Sequence, residues 1–226
     1  MTSLGAVVPA GGTGARLGSR MPKQFLAIGR TPILAATVRH FTRHPGMRAV
    51  VVAAPAAHLA LTRRILAGAA RGAPVSVVAG GPTRQDSVWL GLLALPGRLD
   101  VVVVHDAVRP LITRRLIDDV VRAAIESGAA ICALPIAETV KRVRGGRVEA
   151  TLDRAELWAV QTPQAFRVDL LREAHEKARR DGVVGTDDAM LVERLGHPVR
   201  VVAGLPGNVK ITTPEDLRRV RASARR

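Results

Sequence analysis

Tyrosine is absent, cysteine occurs once, and aromatic residues make up only 2% of the 226 positions. With so few rings, a core has to be filled by Val, Leu, Ile and Ala, which the 47% hydrophobic content allows. The lone Cys132 excludes an intramolecular disulfide and any zinc cluster built on several thiolates. No apolar stretch approaches the ~20 residues that a membrane span requires. The opening MTSLGAVVPAGG lacks the basic start and long apolar segment of a secretory signal. These absences set the expectation of a soluble cytoplasmic protein, with no membrane partner and one domain over residues 1–226. Lysine is scarce too: among 34 cations only Lys23, Lys141, Lys177 and Lys210 are lysines. The net charge of +15 therefore comes from arginines scattered through an Ala-, Val- and Gly-rich chain. No basic run interleaves with aromatics, so a nucleic-acid partner is not expected, and a small anionic ligand accounts for the cations that fall in motifs.

Apolar runs without alternation recur at 6–10 (AVVPA), 49–55 (AVVVAAP), 74–80 (PVSVVAG), 99–106 (LDVVVVHD) and 129–135 (AAICALP). Such runs read as strands buried on both faces. Between them TPILAATVRHFTRH, AHLALTRRILAGAA, RQDSVWLGLLAL and TRRLIDDVVRAAIES read as amphipathic helices. The alternation predicts an α/β fold: a Rossmann-like, doubly wound, mostly parallel sheet with ligands at the carboxyl ends of its strands. One segment breaks the rhythm. TVKRVR and RVEATL flank Gly145-Gly146 and read as a β-hairpin, an arm spanning about 137–160 that projects from the α/β body. A helix over DLLREAHEKARRDG, a strand in HPVRVVAG and a closing helix from Pro214 complete the pattern.

The first strand runs into VVPAGGTGARLGSRMPKQF (7–25). Glycines after a strand let backbone N–H groups approach an anion closely. Gly12, Gly14 and Gly18 come within one residue of the dinucleotide pattern G-x-G-x-x-G, which would suit an NAD-dependent oxidoreductase. That pattern should open into a helix and be followed by an acid about 20 positions on. Here Pro22 follows, and no Asp or Glu occurs before Asp86. The Gly-Lys-Ser/Thr of a P-loop is missing as well. Nucleotidyl transfer from a triphosphate needs N–H donors and fixed cations around the reacting phosphorus, and this loop supplies Arg16 and Lys23.

The run P-A-G-G-x-G-x-R-L…P-K-Q-F resembles the signature of the 2-C-methyl-D-erythritol 4-phosphate cytidylyltransferase family, enzymes of non-mevalonate isoprenoid synthesis. The blocks GGPTRQDSV (80–88), VHDAVRP (104–110), ETVKR (138–142), LDRAELW (152–158), TPQAF (162–166), TDDA (186–189) and NVKITTPEDL (208–217) are similar to that family's blocks in the same order. The ribitol-5-phosphate cytidylyltransferases share much of the signature and remain the alternative. The resemblance implies transfer of CMP from CTP, and it implies Arg16 and Lys23 as the catalytic pair on the α-phosphate. Pro9, Ala10, Gly11, Gly12 and Gly14 would line the triphosphate; Gly81 and Ser87 would read the base, and Ala107 the ribose. Asp106 and Arg109 would serve the second substrate with Thr139, Thr162 and Lys210. Arg154 would reach that substrate from the arm of a second subunit, which makes a homodimer the expected assembly. Mg²⁺ is expected as cofactor, held mainly by the CTP phosphates rather than by a protein ligand. The chain departs from common family usage at Gly11, where many relatives carry alanine, and at Pro82, where an acid is common.

Helix N-capping is the competing role for Asp86 and Ser87, and it is the expected role for Asp187-Asp188 after Thr186. The six histidines pair with no serine or cysteine in a recognised catalytic motif. An attacking substrate phosphate is already anionic, so positioning and charge stabilisation suffice without a general base.

Overall fold

The computed structural model describes residues 2–12, 21–69 and 71–223. Of the sequence-predicted site residues, Gly14 and Arg16 lie outside the described residues. The strands are β1 (Leu4–Pro9), β2 (Ala27–Ile28), β3 (Thr31–Pro32), β4 (Met47–Ala54), β5 (Val75–Ala79), β6 (Val101–Val104), β7 (Ala129–Pro135), β8 (Lys141–Arg144), β9 (Arg147–Thr151), β10 (Trp158–Arg167) and β11 (Arg200–Ala203). The helices are α1 (Ile33–Thr42), α2 (Leu59–Ala67), α3 (Arg84–Leu93), α4 (Arg114–Ser127), α5 (Val168–Arg180), α6 (Asp188–Glu193) and α7 (Pro214–Ser223).

Seven strands form one sheet in the order β11-β7-β10-β6-β1-β4-β5. Every neighbouring pair is parallel except those of β10, which runs antiparallel between β6 and β7. The β-branched runs form strands because both of their faces find apolar partners. Ala6 and Val8 of β1, Val50 and Val52 of β4, and Val101 and Val103 of β6 face a layer containing α1, α2 and α4. The intervening Val7, Val51, Val102 and Val104 face α3, α5 and α6. Gly91 permits this close packing, since a Cβ there would stand 2.4 Å from Val7 Cγ1. A smaller cluster, with Ile33, Val108, Ile211, Leu217 and Val220, seats α7 and the segment before it beside the end of β6.

The hairpin is present as β8 and β9 around Gly145 and Gly146, both at positive φ. It is shorter than expected. Trp158–Val160, assigned to the arm from sequence, pair with Ala133–Pro135 and belong to the main sheet. The chain runs β1, β4, β5 to one side and then crosses to β6 on the other side of β1. That reversal puts the switch point, where such sheets bind ligands, at the carboxyl ends of β1 and β6.

Candidate active site

Three strand ends deliver the site. Pro9 to Gly12 leave β1, Gly81 to Arg84 link β5 to α3, and Asp106 to Val108 follow β6. Together with Lys23, Gln24, Ser87 and Lys210 they line a cavity of about 390 Å³. Pro9, Ala10, Gly11, Gly12, Gly81, Ser87, Ala107, Asp106, Lys23 and Lys210, drawn from separate sequence blocks, are therefore brought to one place. Asp106 is the one carboxylate on the described lining, against Lys23, Arg84 and Lys210. The cavity suits an anion.

The chain is pinned where it leaves β1. Ala10 donates its N–H to Ala53 O at 2.7 Å and accepts from the buried Gln24 Nε2 at 2.6 Å. Lys23–Phe25 form one 3-10 turn, and the first long helix begins only at Ile33, so the described chain after the loop does not follow dinucleotide-binding geometry. Across the cavity Thr83 caps α3 in a capping box with Asp86. The cap is thus Thr83, with Asp86 as its reciprocal partner, whereas sequence reading offered Asp86 and Ser87. Ser87 Oγ instead donates to Thr83 O at 3.0 Å and accepts from Gly81 N–H at 3.2 Å, shaping the turn. Gly81 is required there, because a Cβ would fall 2.3 Å from Asp86 Cβ.

Asp106 stands on the cavity wall, 7% exposed. Its Oδ2 faces Lys210 Nζ at 3.0 Å and Arg109 Nε at 3.4 Å, and its Oδ1 faces Arg84 Nε at 3.4 Å. Burial opposes its ionisation, but Arg84, Lys210 and Arg109 more than reverse this and hold the carboxyl far below its ordinary value. One carboxylate thus gathers three cations. Arg109 is itself buried and donates from Nη1 to Asn208 O at 2.7 Å, so it braces the segment carrying Lys210. Thr162 stands behind Asp106 and accepts its backbone N–H at 3.1 Å. Thr139 and Arg154 are exposed near the arm, away from the described lining, and Arg154 Nη1 donates to Ala137 O.

Sequence reasoning missed Arg84 and Gln24. Arg84 lies in the quoted GGPTRQDSV block but reads there as an ordinary first-turn residue. Its partners Asp106 and Asp188 lie 22 and 104 positions away. Of the Asp187-Asp188 pair, Asp187 caps α6 by accepting from Met190 N–H, as expected, and Asp188 is buried against Arg84 and His175. No group of three or more His, Cys, Asp or Glu that could hold a metal occurs among the described residues. His105 is driven down to about 3 by burial, and the Cys132 thiol is pushed up to about 12 by the same cause. Neither is prepared for proton transfer or nucleophilic attack at neutral pH.

Known proteins match this chain in sequence and in fold. The sequence profile described as 2-C-methyl-D-erythritol 4-phosphate cytidylyltransferase matches residues 4–226. A protein of that name from Bacillus pumilus is 46% identical over 212 residues, 93% of this chain and 92% of its own length. One from Symbiobacterium thermophilum is 46% identical over 213 residues, covering 94% and 89%. The crystal structure of the Thermus thermophilus protein of the same name matches with a TM-score of 0.81 at 38% identity, over 100% of both chains. Sequence and fold agree over nearly the whole length: this chain belongs to the 2-C-methyl-D-erythritol 4-phosphate cytidylyltransferase family.

Proposed function

We propose that this chain transfers CMP from CTP to 2-C-methyl-D-erythritol 4-phosphate, a step of non-mevalonate isoprenoid synthesis. The products are 4-diphosphocytidyl-2-C-methyl-D-erythritol and pyrophosphate. The observation that carries this reading is the cationic cavity at the ends of β1, β5 and β6 in a member of that family. A phosphate oxygen of the polyol attacks the α-phosphorus of CTP; the bond to the bridging oxygen breaks, and pyrophosphate leaves with those electrons. The nucleophile needs no base, in keeping with a described lining that includes no histidine or cysteine. Charge gathers on the α-phosphoryl oxygens and the leaving pyrophosphate, where Lys23, Arg16 and the glycine-loop amides would act. Gly81 and Ser87 would contact cytosine, and Ala107 the ribose. Lys210 would meet phosphate, with Asp106, Arg109 and Thr162 holding it in place.

Mg²⁺ in this reading arrives as part of the substrate, bound to the triphosphate. The support is chemical: Asp106 is already engaged by three cations, and a hard divalent ion prefers phosphate oxygens and water to such a carboxylate. The protein would work as a homodimer in which Thr139 and the second copy's Arg154 reach the phosphopolyol. The exposure of Val143, Val148, Trp158 and Val160 on and beside the arm supports a partner there. The one described cysteine is buried and the described helices include none able to cross a membrane, which accords with a cytoplasmic enzyme. Pyrophosphate release from CTP and Mg²⁺, with 2-C-methyl-D-erythritol 4-phosphate or ribitol 5-phosphate as acceptor, tests the reading. Turnover with the first is expected. Turnover with ribitol 5-phosphate alone would reassign the substrate, and a thermal shift with NAD but none with CTP would end the nucleotidyl-transfer reading.

A further inference from the structure

Arg84 joins two carboxylates from distant parts of the chain. Its Nε lies 3.4 Å from Asp106 Oδ1, and its Nη1 donates to Asp188 Oδ2 at 2.7 Å. Asp188 is 1% exposed, and its other oxygen meets Nε2 of the fully buried His175 at 3.1 Å. The His175 ring in turn stacks beside Trp89 of α3, with centroids 6.1 Å apart. One end of the guanidinium is thus locked into the layer of α3, α5 and α6, while the other reaches the cavity wall.

Asp106 divides its oxygens: Oδ1 turns to Arg84, and Oδ2 to Lys210 and Arg109. Remove Arg84 and the carboxylate can rotate onto Lys210 with both oxygens, neutralising an ammonium that substrate phosphates need. The charge balance moves the same way. Arg84, Arg109 and Lys210 exceed Asp106 and Asp188 by one positive charge, and without Arg84 the surplus vanishes. A guanidinium suits this bridge better than an ammonium, because its planar fork serves two acceptors from fixed directions.

We propose that Arg84 is a positioning residue: anchored by Asp188 and His175, it fixes the orientation of Asp106 and so keeps Lys210 directed at the substrate phosphates. This rests on the cytidylyl-transfer reading of the cavity. Steady-state kinetics of Arg84→Gln, Asp188→Asn, Asp106→Asn and the Arg84→Gln/Asp106→Asn double variant test it, with thermal unfolding as a check on folding. Arg84→Gln should lower kcat about 10- to 100-fold, the range expected when a charged group is misplaced by about an ångström, with KM for CTP changed less. Asp188→Asn should lower kcat in the same sense. In the Asp106→Asn background, Arg84→Gln should cost less than about a further 2-fold, because the two act through one contact. A full-sized loss in that background would mean that Arg84 serves the nucleotide directly and would overturn the proposal, as would an unchanged kcat in Asp188→Asn. Where Arg84→Gln does not fold, Arg84→Lys replaces it: charge is kept, the fork is lost, and kcat should still fall.

A readout independent of turnover separates failure of this proposal from failure of the cytidylyl-transfer reading. The chain has four lysines, so ¹³C-methyl NMR of the reductively methylated protein reports on Lys210 individually. Arg84→Gln and Asp188→Asn should both move the Lys210 signal and leave those of Lys141 and Lys177 in place. An unmoved Lys210 signal overturns the proposal whatever the substrate proves to be.

Discussion

Asp106→Asn removes one negative charge from the centre of three cations and leaves the volume nearly unchanged. Lys210 is 41% exposed at its side chain, so screening by water limits its loss to about 1 kcal/mol or less. Arg109 and Arg84 are 10% and 29% exposed and are left facing a neutral amide. Removing one partner of a buried pair costs about 3–5 kcal/mol. Arg84 keeps Asp188 and Arg109 keeps Asn208 O, so the lower end applies, about 3 kcal/mol. At this chain length that is a fall in Tm of about 6–12 °C, measurable by calorimetry. The pH dependence carries a sign. The carboxyl lies below its ordinary value in the folded state, so the unfolded chain binds more protons in acid. The wild-type advantage should hold from pH 8 to 5 and shrink below about pH 4, where an unfolded aspartate takes up its proton. A difference under about 1 kcal/mol at pH 7 would place Asp106 in the range of surface pairs and refute the reasoning, and so would a gap that widens in acid.

Lys23→Ala should lower kcat by about 10²–10³-fold with the circular dichroism spectrum unchanged, and an unaltered kcat would remove Lys23 from the reacting phosphate. Mixing Lys23→Ala with Arg154→Ala protein after subunit exchange should restore roughly a quarter of wild-type activity, since half the dimers carry one intact composite site. No recovery would argue against an arginine supplied across the interface. Gly81→Ala puts a methyl group 2.3 Å from Asp86 Cβ and should destabilise the protein by about 1–3 kcal/mol while raising KM for CTP. An unchanged KM would detach this turn from base recognition.

The parallel strands were readable because burial on both faces forces runs such as VVVV (101–104), which no other element explains as simply. The hairpin was readable from Gly145-Gly146 between alternating segments. Strand β10 was not. Its centre, Gln161-Thr162-Pro163-Gln164, is polar and contains a proline, which argues against an interior strand. The register with β7 shifts between Gln161 and Gln164, and the polar side chains find partners in Leu205 O, Asp106 N–H and Asp187. Those partners come from three distant segments, so local pattern could not foretell them. The same holds for Arg84, whose meaning depends on Asp106 and Asp188 arriving beside it. The glycine loop, by contrast, advertises its chemistry through contiguous residues.

Strand β10 connects two places that are otherwise far apart. It leaves the arm at Trp158, threads between β6 and β7, and gives Thr162 to the Asp106 backbone and Gln161 to the segment before Lys210. At about 3.3 Å per residue its ten residues span about 30 Å, with one register shift between Gln161 and Gln164. Ladder pairing with β7 runs along one edge, while pairing with β6 holds only Gln164 to Arg167 on the other, so the half toward the arm is fixed on one side alone. The irregularity at Gln161 to Gln164 therefore stands between the arm and the wall behind Asp106, and it divides β10 into an end that belongs to the arm and an end that belongs to the cavity.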